Sequence, residues 1–261
     1  MNRIQTIIDK EWAEVFKNKM VFWTIVLLPL LFTAMPLIFI FVTSGDLIPS
    51  ETSDMPASFA TICGTASAKD CLQIYMINQF LLMFMMMPVI IPITIAAYSV
   101  VGEKATRSLE PLLATPITTE ELLAGKTLAS ALPALAVTIV FFGIFVALTP
   151  LVGGTPGLMA YMLSPTWLIA ILLVGPLMAI ASTIFAVIVS SRVNDPRVAE
   201  QISAVFIVPV MLLLFGQLAG WLIINVPVML IFSALMAAAN VGLIYLAARI
   251  FQREQILTRW K

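Results

Sequence analysis

Histidine is absent from this sequence, and charge of either sign is scarce. Without histidine the chain cannot build a Ser-His-Asp or Cys-His nucleophile pair, a His-ligated metal site, or the usual base that titrates near neutral pH. Its two cysteines are too few for a four-cysteine zinc site or a cysteine-held iron–sulfur cluster. Only 11% of its residues are charged, against about 25% in an ordinary soluble domain. The 14 Lys and Arg are balanced by 14 Asp and Glu, so no basic excess points to nucleic acid.

What fills the chain instead is apolar: 61% of its 261 residues are hydrophobic. So few charges cannot cover the surface of a soluble domain this size, and the excess apolar residues are expected to face lipid. A bilayer core about 30 Å thick takes about 20 apolar residues of helix. Six segments qualify: 20–43, 76–101, 127–149, 166–190, 201–224 and 228–248. None contains Asp, Glu, Lys or Arg, and none shows the alternation of a membrane β-strand. The expected fold is all-α, a single polytopic transmembrane domain over 1–261. The first apolar run is preceded by fairly polar residues and is too long for a signal-peptide core, so it is expected to remain as a spanning helix.

Lys and Arg orient the spans. One side holds Arg3, Lys10, Lys17 and Lys19, then Lys104, Arg107 and Lys126, then Arg192 and Arg197, and finally Arg249, Arg253, Arg259 and Lys261. The other side holds only Lys69. Cytosolic loops collect basic residues, so both termini are expected in the cytosol. Between spans 5 and 6 a re-entrant half-helix around Gly216–Asn225 is an alternative, because Gln217 and Asn225 face lipid poorly.

Segment 1–19 reads as an amphipathic helix. Ile4, Ile7, Ile8, Trp12, Val15 and Phe16 share one face, and Arg3, Thr6, Asp9, Lys10, Glu14 and Lys17 the other. It is expected to lie at the membrane interface, with packing on a soluble partner as the alternative. The 44–75 segment is the one sizeable external loop and carries Cys63, with Cys71 near its end. On an oxidising face a Cys63–Cys71 disulfide is expected to close it, with two free thiols as the alternative.

Several motifs suggest chemistry and fail on inspection. Gly125-Lys126-Thr127 resembles the end of a phosphate-binding loop, but the required earlier glycine is replaced by Glu120, and no strand precedes it. Glu120-Glu121 resembles the start of an intramembrane-protease motif, but Gly125 stands where that motif has arginine. Thr118-x-x-Glu121 reads better as a capping box that opens the third spanning helix. Met83, Met85, Met86 and Met87 read as compliant packing surface rather than a soft-metal site. The prolines at 29, 36, 88, 92, 133, 176 and 209 fit kinked helices. With no ionisable group inside the predicted spans, a proton or sodium coupling site is lacking, so energy for active transport would come from elsewhere.

The most distinctive stretch runs from Glu103 to Lys126: E-K-x-x-x-S-L-E-x-L-L-A-T-P-I, then E-L-L-x-G-K. Leu109, Leu112 and Leu113 give it a small apolar face beside polar residues. This run resembles the signature of ATP-binding-cassette (ABC) type 2 export permeases, and the six-span layout resembles theirs too. The resemblance implies that 103–116, within the cytosolic segment 102–118, is a coupling helix docking in a separate ABC ATPase subunit through Glu103, Lys104, Arg107, Leu109, Glu110, Leu112 and Leu113. It implies a permease subunit in the cell membrane, not itself an enzyme. ATP and Mg would be used by the partner ATPase, with no cofactor on this chain. A second membrane subunit, identical or paralogous, would complete the unit. Asn78, Gln79 and Gln217 are candidates to line a substrate path between subunits near spans 1, 2 and 5, with helix-packing hydrogen bonds as the alternative. The rival functions are an ATP-independent carrier or channel, and an intramembrane enzyme.

Overall fold

A computed structural model describes residues 3–15, 17–44, 68–106 and 118–250. All regular structure among them is helical. We number the helices α1 (Arg3–Val15), α2 (Lys19–Ser44), α3 (Ala68–Phe84), α4 (Met87–Ala105), α5 (Thr119–Leu148), α6 (Pro156–Met162), α7 (Pro165–Ile169), α8 (Gly175–Ser190), α9 (Pro196–Ser203), α10 (Val208–Leu218) and α11 (Val226–Ile250).

Stacked end to end, these make six segments long and apolar enough to cross a membrane: Lys19–Ser44, Asp70–Lys104, Glu120–Val152, Pro156–Ser190, Pro196–Leu218 and Val226–Ile250. They reach past the apolar runs at several ends, and so take in Glu103, Lys126 and Glu200. Prolines shape the breaks. Pro88 has no N–H and crowds the carbonyl one turn back, so the chain tightens at Met85 and Met86 into i→i−3 bonds at 3.1 and 3.0 Å before α4 begins. Ahead of Pro176 the helix widens into a π-turn over Ala170–Val174.

Span 2 is the axis of the bundle: 83% of its central window is buried, against 28% for span 1 and 22% for span 5. Span 4 is the second interior helix. Its α8 packs along α4 more extensively than any other pair, because its inward face is built from Ala179, Ala181, Ser182, Thr183, Ala186 and Ser190, small enough for close approach. Phe84 of span 2 stacks on Phe145 of span 3 at 5.3 Å between ring centroids. Asn240 of span 6 donates to the Leu177 carbonyl of span 4 at 2.8 Å. Gly153 closes span 3 with φ +89°, and any Cβ there would fall 2.4 Å from Ser44 Cβ, so only glycine brings the ends of spans 1 and 3 together.

Between spans 5 and 6 the chain makes a turn through Gly220, at φ +72°, and no helix forms at residues 219–225. Asn225 caps α11 by accepting from the Val228 N–H at 3.1 Å. Asn225 is thus a helix cap at the connection, while Gln217 lies in the last turn of α10. The start of span 3 matches the capping box: Thr118 Oγ1 accepts from Glu121 N–H at 3.2 Å, and Glu121 accepts from Thr118 N–H at 2.9 Å.

Candidate functional site

The described end of the bundle that carries α1 gathers a charge cluster that the apolar runs conceal. α1 packs on α5 and α4, burying Ile7, Glu11 and Val15. These sit at i, i+4 and i+8, so Glu11 is a carboxylate in the middle of an inward stripe. Two features of span 3 receive it. Gly125 lets α1 approach, since a Cβ there would stand 2.8 Å from Ile7 Cγ2 and 2.9 Å from Ile7 Cβ. Lys126, one residue on, reaches into the junction with its side chain 5% exposed.

Lys126 Nζ stands 2.8 Å from Glu11 Oε1 and 2.7 Å from Glu103 Oε2, and donates to Ser99 Oγ at 3.0 Å. Ser99 donates in turn to Glu11, and Lys10 pairs with Glu103. Both carboxylates are nearly inaccessible, Glu103 at 2% and Glu11 at 3%. Trp12 turns toward span 3 as well, donating from Nε1 to the Ala129 carbonyl at 2.9 Å. One ammonium thus ties the N-terminal helix, the end of span 2 and the start of span 3 into a unit. Two acids and two lysines balance, which is the condition for burying such a group at tolerable cost. The face read as interfacial from its apolar residues rests, at Ile7, Glu11 and Val15, on the chain's own spans.

Lys104, next in sequence, donates to the carbonyls of Ser191 and Val193 at 3.1 and 2.8 Å. A cation there satisfies carbonyls left open at the end of α8. So Glu103 and Lys104 anchor the end of span 2 on both sides: Glu103 to α1 and span 3, Lys104 to span 4. Arg107, Leu109, Glu110, Leu112 and Leu113 lie outside the described residues.

The second set of sequence candidates lies farther from this end, Asn78 and Gln79 on span 2 and Gln217 on span 5. Asn78, 1% exposed, accepts from Tyr161 O–H at 2.7 Å, pinning span 2 to the first turns of span 4. Gln79 and Gln217 are 9% and 4% exposed, and among the described residues their side-chain amides have no hydrogen-bond partner. Because α9 packs on α4 and α10 on α3, span 5 runs antiparallel to span 2. Glu200 meets Thr94, and counting helix rise away from that contact sets Gln217 about level with Ile77, beside Asn78 and Gln79. Two buried amides without partners each cost about 1–3 kcal/mol, so this level of the bundle is polar and under-satisfied. Cys71, buried at the start of α3, is disulfide-bonded; its expected partner, Cys63, lies outside the described residues.

Among the described residues no group of three or more metal-ligating side chains comes together. At the cluster both carboxylates are engaged by ammonium groups, and the Ser99 hydroxyl lies between Lys126 and Glu11. The cluster forms a joint of α1 with spans 2 and 3 at one end of the helix bundle. A family model described as "ABC-2 family transporter protein" matches residues 5–253, nearly the whole chain. The chain belongs to the ABC-2 transporter family. The match takes in α1 from its third residue on, all six spans and the segment between spans 2 and 3, so the joint and the run of 103–126 lie inside the ABC-2 transporter unit rather than beside it. Comparison with curated proteins gives no match.

Sequence reasoning named Glu103 and Lys104 for a contact with a partner and passed over Glu11, Lys10, Ser99 and Lys126. The signals were present. Glu11 interrupts the apolar stripe of α1 between Ile7 and Val15. Gly125-Lys126, dismissed as a phosphate loop, pairs a close-approach glycine with a buried cation.

Proposed function

We propose that this chain is the membrane-spanning permease subunit of an ABC exporter, moving substrate outward with work supplied by ATP hydrolysis in a separate ATPase subunit. The observation that carries the reading is the family match over residues 5–253, which spans the six helices and the joint together. Two permease subunits, identical or paralogous, work with two ATPases in the cell membrane. Both termini and the 102–118 segment face the cytosol, as the distribution of Lys and Arg supports. The chain itself carries out no catalytic step; ATP and Mg are bound by the partner.

In this reading, residues 103–116 dock in the ATPase through the apolar face of Leu109, Leu112 and Leu113, flanked by Arg107 and Glu110. Glu103 and Lys104 form the root of that element. A push on the segment cannot be absorbed locally, because Glu103 is fixed to Lys126 and Lys10 while Lys104 is fixed to the end of α8. Motion passes to α1 and to spans 2, 3 and 4 as one body. The under-satisfied amides of Gln79 and Gln217, with Asn78 beside them, supply polar positions for a substrate path. A second subunit or a substrate group bonded there would recover the hydrogen bonds that the single chain leaves open.

The test is reconstitution. In sealed vesicles the chain with its ATPase should move substrate only with ATP and Mg, and the isolated chain should neither bind nor hydrolyse ATP. Gradient-driven movement by the chain alone would replace this reading with that of a carrier or channel.

A further inference from the structure

Three spans lose regular α-helical pitch part-way along, and in each a proline follows two residues past the break. Span 2 tightens at Met85 and Met86 ahead of Pro88, span 4 widens over Ala170–Val174 ahead of Pro176, and span 5 tightens over Ala204–Ile207 ahead of Pro209. A proline by itself only kinks its own helix. These breaks, however, meet at one level. The Gly175 N–H closes the widened turn on the Ala170 carbonyl, and a Cβ built on Gly175 would stand 3.8 Å from Pro88 Cγ. The tightened turn of span 5 packs on α4. Glu200 meets Thr94, and that turn lies about one to two helical turns farther toward the start of α4.

The packing divides at the same level. On the side of the joint α4, α8 and α9 pack on one another, and Lys104 ties the end of α4 to the carbonyls of Ser191 and Val193. On the other side α3 packs on α6 and α10. There Asn78 accepts from Tyr161 O–H at 2.7 Å, and Tyr161 meets Trp167 of α7 edge-on at 6.5 Å between ring centroids. Two sets of helices, each bonded within itself, are joined through one layer where the regular backbone ladder is interrupted. The side chains of that layer suit movement. Met85, Met86 and Met87 are at most 6% exposed, and a buried methionine, with three rotatable bonds and a polarisable sulfur, repacks readily when its neighbours shift.

We propose that this layer is a hinge: the outer set, α3, α6, α7 and α10, tilts against the joint-side set, α4, α8 and α9, about the breaks ahead of Pro88, Pro176 and Pro209. Spans 3 and 6 cross the layer as continuous helices and hold the tilt to a small angle. Gln79 on α3 and Gln217 on α10 travel together with the outer set, while the joint-side set follows the 103–116 segment. The use of such a hinge rests on the export reading, but its motion can be tested without transport.

The experiment is methyl relaxation dispersion on the full chain in phosphatidylcholine nanodiscs, deuterated and labelled at methionine Cε and isoleucine Cδ1, with neither ATPase nor nucleotide. Tilting of helix sets falls on the microsecond-to-millisecond scale that this method reads. Met85 and Met86 on span 2, Ile171 on span 4 and Ile207 on span 5 should exchange with one shared rate constant. Met162 in α6 and Ile95 in α4, each inside one set, should show little exchange. Pro88→Ala returns an N–H donor to span 2 alone. It should nevertheless lower the exchange contribution at Ile171 and Ile207, as well as at Met85, about fivefold, as expected for one restored backbone hydrogen bond. Where Pro88→Ala does not yield monodisperse protein, Pro176→Ala decides on the same readout, with Met85 and Met86 as the reporters on the other helix. A shared rate whose contribution falls at all three breaks supports the hinge. Absent exchange, independent rates at the three breaks, no change on proline replacement, or a change confined to the mutated helix overturns it. Each of those results leaves the export reading standing, since that reading depends on transport with the ATPase.

Discussion

Replacing Lys126 with Met keeps the length and apolar stem of the side chain while removing its charge. In the wild type that charge stands 2.8 Å from Glu11 and 2.7 Å from Glu103, with all three groups at least 95% inaccessible. Solvent therefore screens little of the interaction. Glu103 would keep Lys10, but Glu11 would be left with a hydroxyl donor alone. Removing one partner of a buried ion pair costs about 3–5 kcal/mol, because the orphaned charge stays in a poor environment. The weakest way out is for α1 to lift off spans 2 and 3 and hydrate Glu11. We expect the opening equilibrium of α1 to rise by a factor between about 10² and 5 × 10³. Hydrogen exchange over residues 3–15 reads this directly, with spans 2 and 4 as internal controls. The triple replacement Glu11→Gln, Glu103→Gln and Lys126→Met removes the charges together, and should bring α1 back to within about 1–2 kcal/mol of the wild type. If Lys126→Met leaves exchange over α1 unchanged, the ammonium is not what holds the helix, and the joint described above is wrong.

Three further outcomes follow from the same geometry. Gly125→Val should push α1 away at a cost of about 1–3 kcal/mol, and Ile7→Ala in the same chain should recover much of it, because Ile7 is the atom group in the way; recovery is measured by thermal unfolding, and no rescue would mean that α1 sits elsewhere. Thiol alkylation before and after reduction should detect two reactive cysteines only after reduction, and a Cys63–Cys71 bond of this short span should contribute about 2–3 kcal/mol to the order of the segment it closes; two free thiols in native membranes would refute it. Purified alone, the chain should show no saturable ATP binding in equilibrium dialysis, and stoichiometric binding would place the energy source in the wrong chain.

The six helices were legible because lipid demands length and apolarity, and both are written in consecutive residues. Their ends were less so. A residue such as Lys126 lies next to an apolar run, and its charge reads as the edge of a span; only the packing of α1 shows that the side chain turns inward. Glu11 was hidden for a related reason. A pattern of apolar residues at helical spacing invites lipid as the missing surface, whereas Gly125 allows the chain's own third span to fill that place. The helix breaks at Met85–Met86 and ahead of Pro176 could be read from proline, but not their resolution into a tightened turn in one case and a widened one in the other, since that depends on what packs beside them. The capping box at Thr118 and Glu121 was readable because it is local. The level shared by Gln79 and Gln217 was not, since it follows from the antiparallel register of spans 2 and 5.

The central claim is that the segment following span 2 passes work from a separate ATPase to this chain. Leu112→Asp and Leu113→Asp place a carboxylate in the proposed contact, where burial without a partner costs several kcal/mol, and they touch none of the six spans. Co-purification with the ATPase, together with substrate-stimulated ATP hydrolysis, measures the consequence. The account predicts that both variants insert normally, lose the ATPase on purification and show no stimulation. Intact assembly and full stimulation in both would contradict it.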